Sequence, residues 1–187
     1  MTSHLPWFTA WGIEFSSPIK NVFSIVTEVN EHRINNRWLM VNYDVLASEI
    51  HLWNTWYSLR CNERDEKMVA KTPDTEFIRI LSGTNQINKA FERAGISEGD
   101  FKAWIIFLPN LQLGNGFGNL SIPNEIYNSH TKDALRLIEN LGGKMLAKRP
   151  IPTEAGLSRV GVEHHGNKST LEIENLFISH VGLSDLR

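Results

Sequence analysis

Gly83 stands between two short amphipathic runs, in Ser82-Gly83-Thr84-Asn85-Gln86-Ile87, and this corner has the residue types for holding an anion and an unstacked base. Glycine tolerates the left-handed conformation that ends a helix, and the helix that restarts after it exposes first-turn amides. Such amides attract phosphate or carboxylate, and a glycine beside them lets the ligand approach the backbone. The amide side chains of Asn85 and Gln86 suit base edges, Thr84 adds a hydroxyl, and Ile87 offers an apolar wall. Lys71, Arg79 and Lys89 supply positive charge nearby. The plainer reading is a helix-turn-helix connection kept for packing.

Other residues invite an enzymatic reading and carry it less far. His51 lies near Ser48 and Glu49, but spacings of one and three on one helix do not surround a single substrate. His164-His165 lacks the Cys or carboxylate partners of a metal set. Gly114-Asn115-Gly116-Phe117-Gly118 follows a predicted strand without the dinucleotide spacing or a basic residue for phosphates. Cys61 sits near Arg60 and Arg64, where a solvated helix end is the commoner meaning. No cofactor or metal is expected. Of the six tryptophans, Trp7, Trp38 and Trp104 fall in predicted strands and Trp53 on an apolar stripe, leaving Trp56 to meet a partner or RNA.

The elements that position the corner are legible on both sides of it. Thr72-Pro73-Asp74 reads as an N-cap, a first-turn proline and an acid at the positive end of the helix dipole. Phe77, Ile80 and Leu81 then share one face. Beyond the corner, with Thr84 or Asn85 as the new cap, Ile87, Ala90, Phe91 and Ala94 form a second stripe, closed by Gly95-Ile96. Elsewhere the pattern predicts strands over 7–15, 38–41, 104–108 and 144–147. Helices are predicted after Ser17-Pro18 with Val22, Phe23, Val26 and Val29 on one face, from an Asn42 or Asp44 cap to about Arg60, and over 131–141 and 153–160. The run Trp104–Leu108 is apolar throughout and therefore central in its sheet. Ser169-Thr170-Leu171-Glu172 is a capping box opening a last helix. The expected fold is α/β, a single domain over residues 1–187 with a small mixed sheet packed by helices; residues 1–6 and 110–128 read as local additions.

Composition bounds the function. The 187 residues, 41% of them hydrophobic, suit one domain with a real core. With 19 Lys and Arg against 21 Asp and Glu the net charge is -2, which argues against extended duplex binding and allows a grip on a few single-stranded nucleotides. A single cysteine excludes an internal disulfide. No apolar run is long enough to span a membrane and no secretory layout opens the chain, so a cytoplasmic setting is expected.

Taken together, Glu76, Ser82-Gly83, Thr84-Asn85, Gln86-Ile87, Ala90 and Gly95-Ile96 resemble the signature of the small, non-catalytic, kinase-binding subunit of the KEOPS complex. Asn42 to Ser48 with His51-Leu52 before the signature is similar to the family pattern in the same order. So are the strand at 103–108, Leu141-Gly142-Gly143, and Val181-Gly182-Leu183-Ser184-Asp185-Leu186 after it. The chain departs from it at Asn85, where many relatives carry Arg, and near Glu49-Ile50, where they carry basic residues. The resemblance implies no catalysis by this chain. It implies docking on the kinase/ATPase subunit, indirect association with the other KEOPS subunits, and capture of the single-stranded CCA 3′ end of tRNA for threonylcarbamoyladenosine modification. On the C-terminal helix, Leu176, Phe177, Val181 and Leu183 spread around more of the circumference than one core stripe needs, and so form the expected kinase surface. Two other readings stay open: a kinase-activating scaffold without RNA contact, and a stand-alone enzyme with His51 as base over the Gly83 amides.

Overall fold

Successive residues of the third strand point into two separate cores, which is why its sequence is apolar without a break. The computed structural model describes residues 5–114 and 120–184. Its strands are β1 (Ala10–Phe15), β2 (Trp38–Asn42), β3 (Lys102–Phe107) and β4 (Gly143–Leu146), arranged β2-β3-β1-β4. Trp104 and Ile106 of β3 join Phe8, Leu39 and Val41 in one core. Ala103 and Ile105 join Trp11, Ile13, Trp38 and Met40 in the other. The α/β class and the central position of this strand are as expected. The sheet differs from the expected mixed one, because every pairing is antiparallel. β1 and β2 run in the same direction, as a strand-helix-strand crossover requires, but β3 inserts between them and runs opposite to both.

Helix α1 (Val22–His32) and helix α5 (Ile126–Asn140) cover the second core. Helices α2 (Glu49–Arg64), α3 (Pro73–Ser82), α4 (Ile87–Ala94), α6 (Glu154–Arg159) and α7 (Thr170–Gly182) cover the first. Starts follow local capping chemistry. Asn21 caps α1, so the helix begins later than Ser17-Pro18 suggests, and Phe23 is exposed. Asn42 caps only a 3-10 turn at Tyr43–Val45, and Ser48, accepting from the His51 N–H, caps α2. Within it Leu52, Trp53, Trp56 and Leu59 face the core while Ile50 is half exposed. The expected capping box at Ser169 and Glu172 is present.

Two aromatic assignments reverse. Trp56 is fully buried, its indole N–H donating to Pro109 O at 2.8 Å, and is closed to any partner. Trp7 is 52% exposed, because the strand starts at Ala10. The Arg149 guanidinium lies 5.0 Å from both the Trp7 and Tyr127 ring centres. Arg149 also bonds Glu49, Ala10 O and Phe8 O, tying the segment before β1 to the start of α2. Of the predicted additions, residues 1–4 and 115–119 lie outside the described residues, as do Asp185 and Leu186 of the closing motif. Residues 110–114 and 120–125 form neither helix nor strand.

Candidate functional site

Helix α3 is held by a buried ion pair that its own sequence spacing provides. Glu76 and Arg79, three residues apart, are both fully buried. Arg79 Nη2 donates to Glu76 Oε1 at 2.7 Å and Nε to Oε2 at 3.0 Å. The carboxylate also accepts from Asn62 Nδ2 on α2 and from the Val69 and Ala70 amides. Burial by itself pushes the Glu76 carboxyl up, but the hydrogen bonds from Arg79, Ala70 and Asn62 and the Arg79 charge outweigh it, leaving it below its ordinary value. The third arm of the guanidinium, Nη1, donates to Asn85 Oδ1 at 2.9 Å. Asn85 is therefore anchored from the helix beneath it.

The corner is sealed on its α3 side and open on its α4 side. Gly83 ends α3 in the left-handed conformation, φ 63°, and its N–H donates to Ile80 O. A Cβ there would overlap the His180 ring, so the position requires glycine for both conformation and space. His180 Nε2 lies 3.0 Å from Ser82 O, and because a carbonyl only accepts, this nitrogen carries the proton. Arg93 Nη1 also donates to Ser82 O, so two side chains satisfy the end of α3. The restart is at Gln86, not at Thr84 or Asn85, and no side chain caps it; Thr84 Oγ1 accepts the Gln86 N–H instead. The first turn of α4 thus carries amides without a side-chain cap beside exposed Asn85, Gln86, Asn88 and Lys89 and half-buried Ile87.

The predicted RNA residues divide accordingly. Asn85, Gln86, Ile87 and Lys89 gather on the open side. Gly83 and Thr84 are buried and shape the turn. Arg79 is committed to Glu76 and Asn85 and is closed to solvent, so it offers no charge to a phosphate. Lys71 is exposed but precedes α3, a helix about 15 Å long at ~1.5 Å per residue, at the end opposite Gly83. The predicted kinase residues also divide. Phe177 and Val181 are buried in the core against α2 and α3; Leu176 is half-buried against the same core, and Leu183 is exposed. The wide apolar arc of α7 arises because the helix is wedged between several neighbours, not because it is bare.

His51 is enclosed. Its Nδ1 accepts the Ala47 N–H at 3.2 Å, its ring lies 5.1 Å from Phe177, and burial, with the neighbouring His180, lowers its pKa from 6.5 to about 3. A base needs a path to substrate, and this imidazole has none. Among the described residues there is no group of three or more His, Cys, Asp or Glu arranged for a metal ion, and no helix is long and apolar enough to cross a membrane.

The sequence model of the family described as kinase binding protein CGI-121 matches residues 17–112, just over half of the chain. The chain belongs to the CGI-121 family. No curated protein matches it. In this CGI-121 family member the matched stretch runs from before α1 to just past β3 and contains the whole corner; α7 lies outside it. Sequence reasoning missed three features here: the burial of Arg79, the seat of His180 beneath Gly83, and a groove between α1 and the α3-α4 pair. The first had a signal in the three-residue spacing of Glu76 and Arg79. The other two join residues far apart in sequence and leave no local trace.

Proposed function

We propose that this CGI-121 family member is a non-catalytic adaptor of tRNA modification, acting as a single cytoplasmic domain. It docks on the KEOPS kinase/ATPase subunit and holds the single-stranded CCA 3′ end of tRNA for threonylcarbamoyladenosine synthesis. The observation that carries the RNA half is the uncapped first turn of α4 beside Ile87, with Asn85, Gln86 and Lys89 exposed around it. Amides and a lysine suit a phosphate, amide side chains suit base edges, and an isoleucine suits the face of an unstacked base. The seal beneath the corner supports the same reading, since a fixed platform loses little order on binding.

A second reading, a scaffold that activates the kinase without touching RNA, is favoured by the commitment of Arg79 to Glu76 and of Arg93 to Ser82 O, beside which Lys89 is exposed. The enzyme reading loses its base with His51 enclosed. Purified protein mixed with full-length tRNA and with tRNA lacking CCA separates them. Selective binding of the full-length tRNA, lost in Ile87→Glu, supports capture; equal or no binding supports the scaffold; turnover without partners supports the enzyme. With Lys89 and Arg93, whose Nη1 donates to Ser82 O, as the nearby cations, log affinity for a CCA oligonucleotide should fall with log salt at a slope of about -0.7 to -1.4, one to two phosphates at ~0.7 each.

A further inference from the structure

A groove of about 510 Å³ separates α1 from the α3-α4 pair and opens over the outer edge of the sheet at β2. Its walls are apolar on both sides, Val26 and Val29 from α1 facing Ile78, Phe91 and Ile96, and its floor includes Met40. Val26 and Phe91 are 43% and 45% exposed, unusual for apolar side chains that face one another across a trench.

The floor presents unpaired main chain. Arg37 O accepts the Leu108 N–H, so Arg37, and by the two-residue period Leu39 and Val41, turn toward β3. Trp38 and Met40 turn outward. Trp38 is satisfied locally: its N–H donates to Asn35 O, and its C=O accepts from Arg33 Nη1, which also pairs with Asp74 at 2.5 Å. Met40, only 9% exposed, has no partner for its outward N–H or C=O among the described residues. A helix laid in the groove would cover the walls and leave this donor and acceptor unmet, whereas an extended chain meets both and sends alternate side chains to the two walls. Glu92 on the rim, exposed and without a partner among the described residues, favours a basic residue in the occupant.

We propose that an extended, largely apolar segment of the kinase partner lies in this groove and pairs with Met40 as an added edge strand. The proposal rests on the kinase-binding reading. The groove residues, from Val22 to Ile96, all fall within the stretch matched by the kinase-binding family, residues 17–112.

The test uses the full chain and the purified kinase subunit of the same complex. Met40→Pro removes the outward N–H without touching the β2-β3 ladder, as edge prolines do. Val26→Lys and Phe91→Lys charge the exposed walls. Titration calorimetry should show binding at least tenfold weaker for Met40→Pro and a hundredfold weaker for the wall variants, with circular dichroism unchanged in all three. The Met40 amide should exchange with deuterium quickly in the free protein and become protected in the complex. Should Met40→Pro not fold, the wall variants and the amide decide alone. Kinase binding that survives the wall variants, or leaves the Met40 amide unprotected, overturns the groove as the docking site while the kinase-binding reading stands. Weakening by the wall variants alone overturns the strand pairing. Protection in the free protein, or protection that grows with its own concentration, overturns the proposal in favour of its own chain or a second copy. Failure of the unaltered protein to bind the kinase removes the underlying reading as well.

Discussion

Lowering the pH from 7 to 5 should destabilise this fold by about 2 kcal/mol through one imidazole. His51 accepts the Ala47 N–H on Nδ1, so its ring is neutral with the proton on Nε2, which has no hydrogen-bond partner. A second proton would break the Ala47 bond and put a charge in the core beside Phe177 and His180. Burial, then His180, holds the pKa at about 3 against the ordinary 6.5. Above 6.5 both folded and unfolded chains carry neutral His51, and its contribution is fully present. Between 6.5 and about 3 the unfolded chain takes a proton that the folded one refuses, so stability falls with pH by about 1.36 kcal/mol per unit. At pH 5 the deficit is about 1.5 units, or ~2 kcal/mol, and it approaches ~5 kcal/mol at pH 3.

His130, lowered by burial against the pull of Asp133, acts in the same window, so a variant must isolate His51. Glu76, also depressed, contributes stability that is present above the ordinary carboxylate pKa and lost at lower pH, outside the range from 7 to 5. His51→Phe leaves the Ala47 N–H unpaired and should cost about 1–3 kcal/mol at pH 7. Urea denaturation of both proteins at pH 7, 6 and 5 should show the gap narrowing by about 2 kcal/mol, because only the unaltered chain loses the stability that neutral His51 contributes. Parallel curves for the two proteins would refute the reasoning, as would a His51 ring-proton resonance that titrates near pH 6.5.

Gly83→Ala forces a Cβ into the His180 ring and a left-handed alanine, and should cost about 2–5 kcal/mol in urea denaturation, the sum of ~1–2 for the conformation and ~1–3 for overpacking. Arg79→Met strands the Glu76 carboxylate in the interior and should cost about 3–5 kcal/mol, with Glu76→Gln on the same chain recovering part of the loss; an additive double variant would contradict the pairing. Phe177→Asp should abolish helical circular dichroism together with any kinase binding, since it charges the core, and a folded variant would overturn the assignment of this side chain.

What the sequence made legible was local. The Gly83 corner was readable because a left-handed cap, a first-turn proline and two apolar stripes are written within a few residues of one another. The order of strands and helices was readable for the same reason, as was the capping box of α7. On the helices, the failures are cases where a distant element decided which face is bare. Trp56 looked free because it points away from the stripe that carries Trp53, yet both are buried, and Trp56 donates to Pro109 O from a distant segment. Phe177 and Val181 looked like a surface because α7 meets α2, α3 and α6 from different sides. Arg79 looked like a phosphate ligand because the side chains that enclose it, from Asn62 to Asn85, come from separate segments. The groove was invisible, since its walls are set by the packing of α1 against one face of the sheet and of α3 and α4 against the other.

Helix α4 belongs to both proposed surfaces, and its anchoring determines whether they communicate. Its first turn forms the corner, and Phe91, Glu92 and the following Gly95 line the groove. Ala90 and Ala94 are fully buried, Arg93 bonds Ser82 O, and Arg159 donates to Gly95 O at 2.7 Å, so the helix is fixed along its length. A ligand shifts an equilibrium only through different affinities for two states, and a helix held in one arrangement offers no second state. The affinity for a CCA trinucleotide, too short to reach the kinase, should therefore agree within about twofold with and without saturating kinase. A tenfold change, about 1.4 kcal/mol of coupling, would mean that α4 moves between two positions and that the ties through Arg93 and Arg159 are broken in one of them.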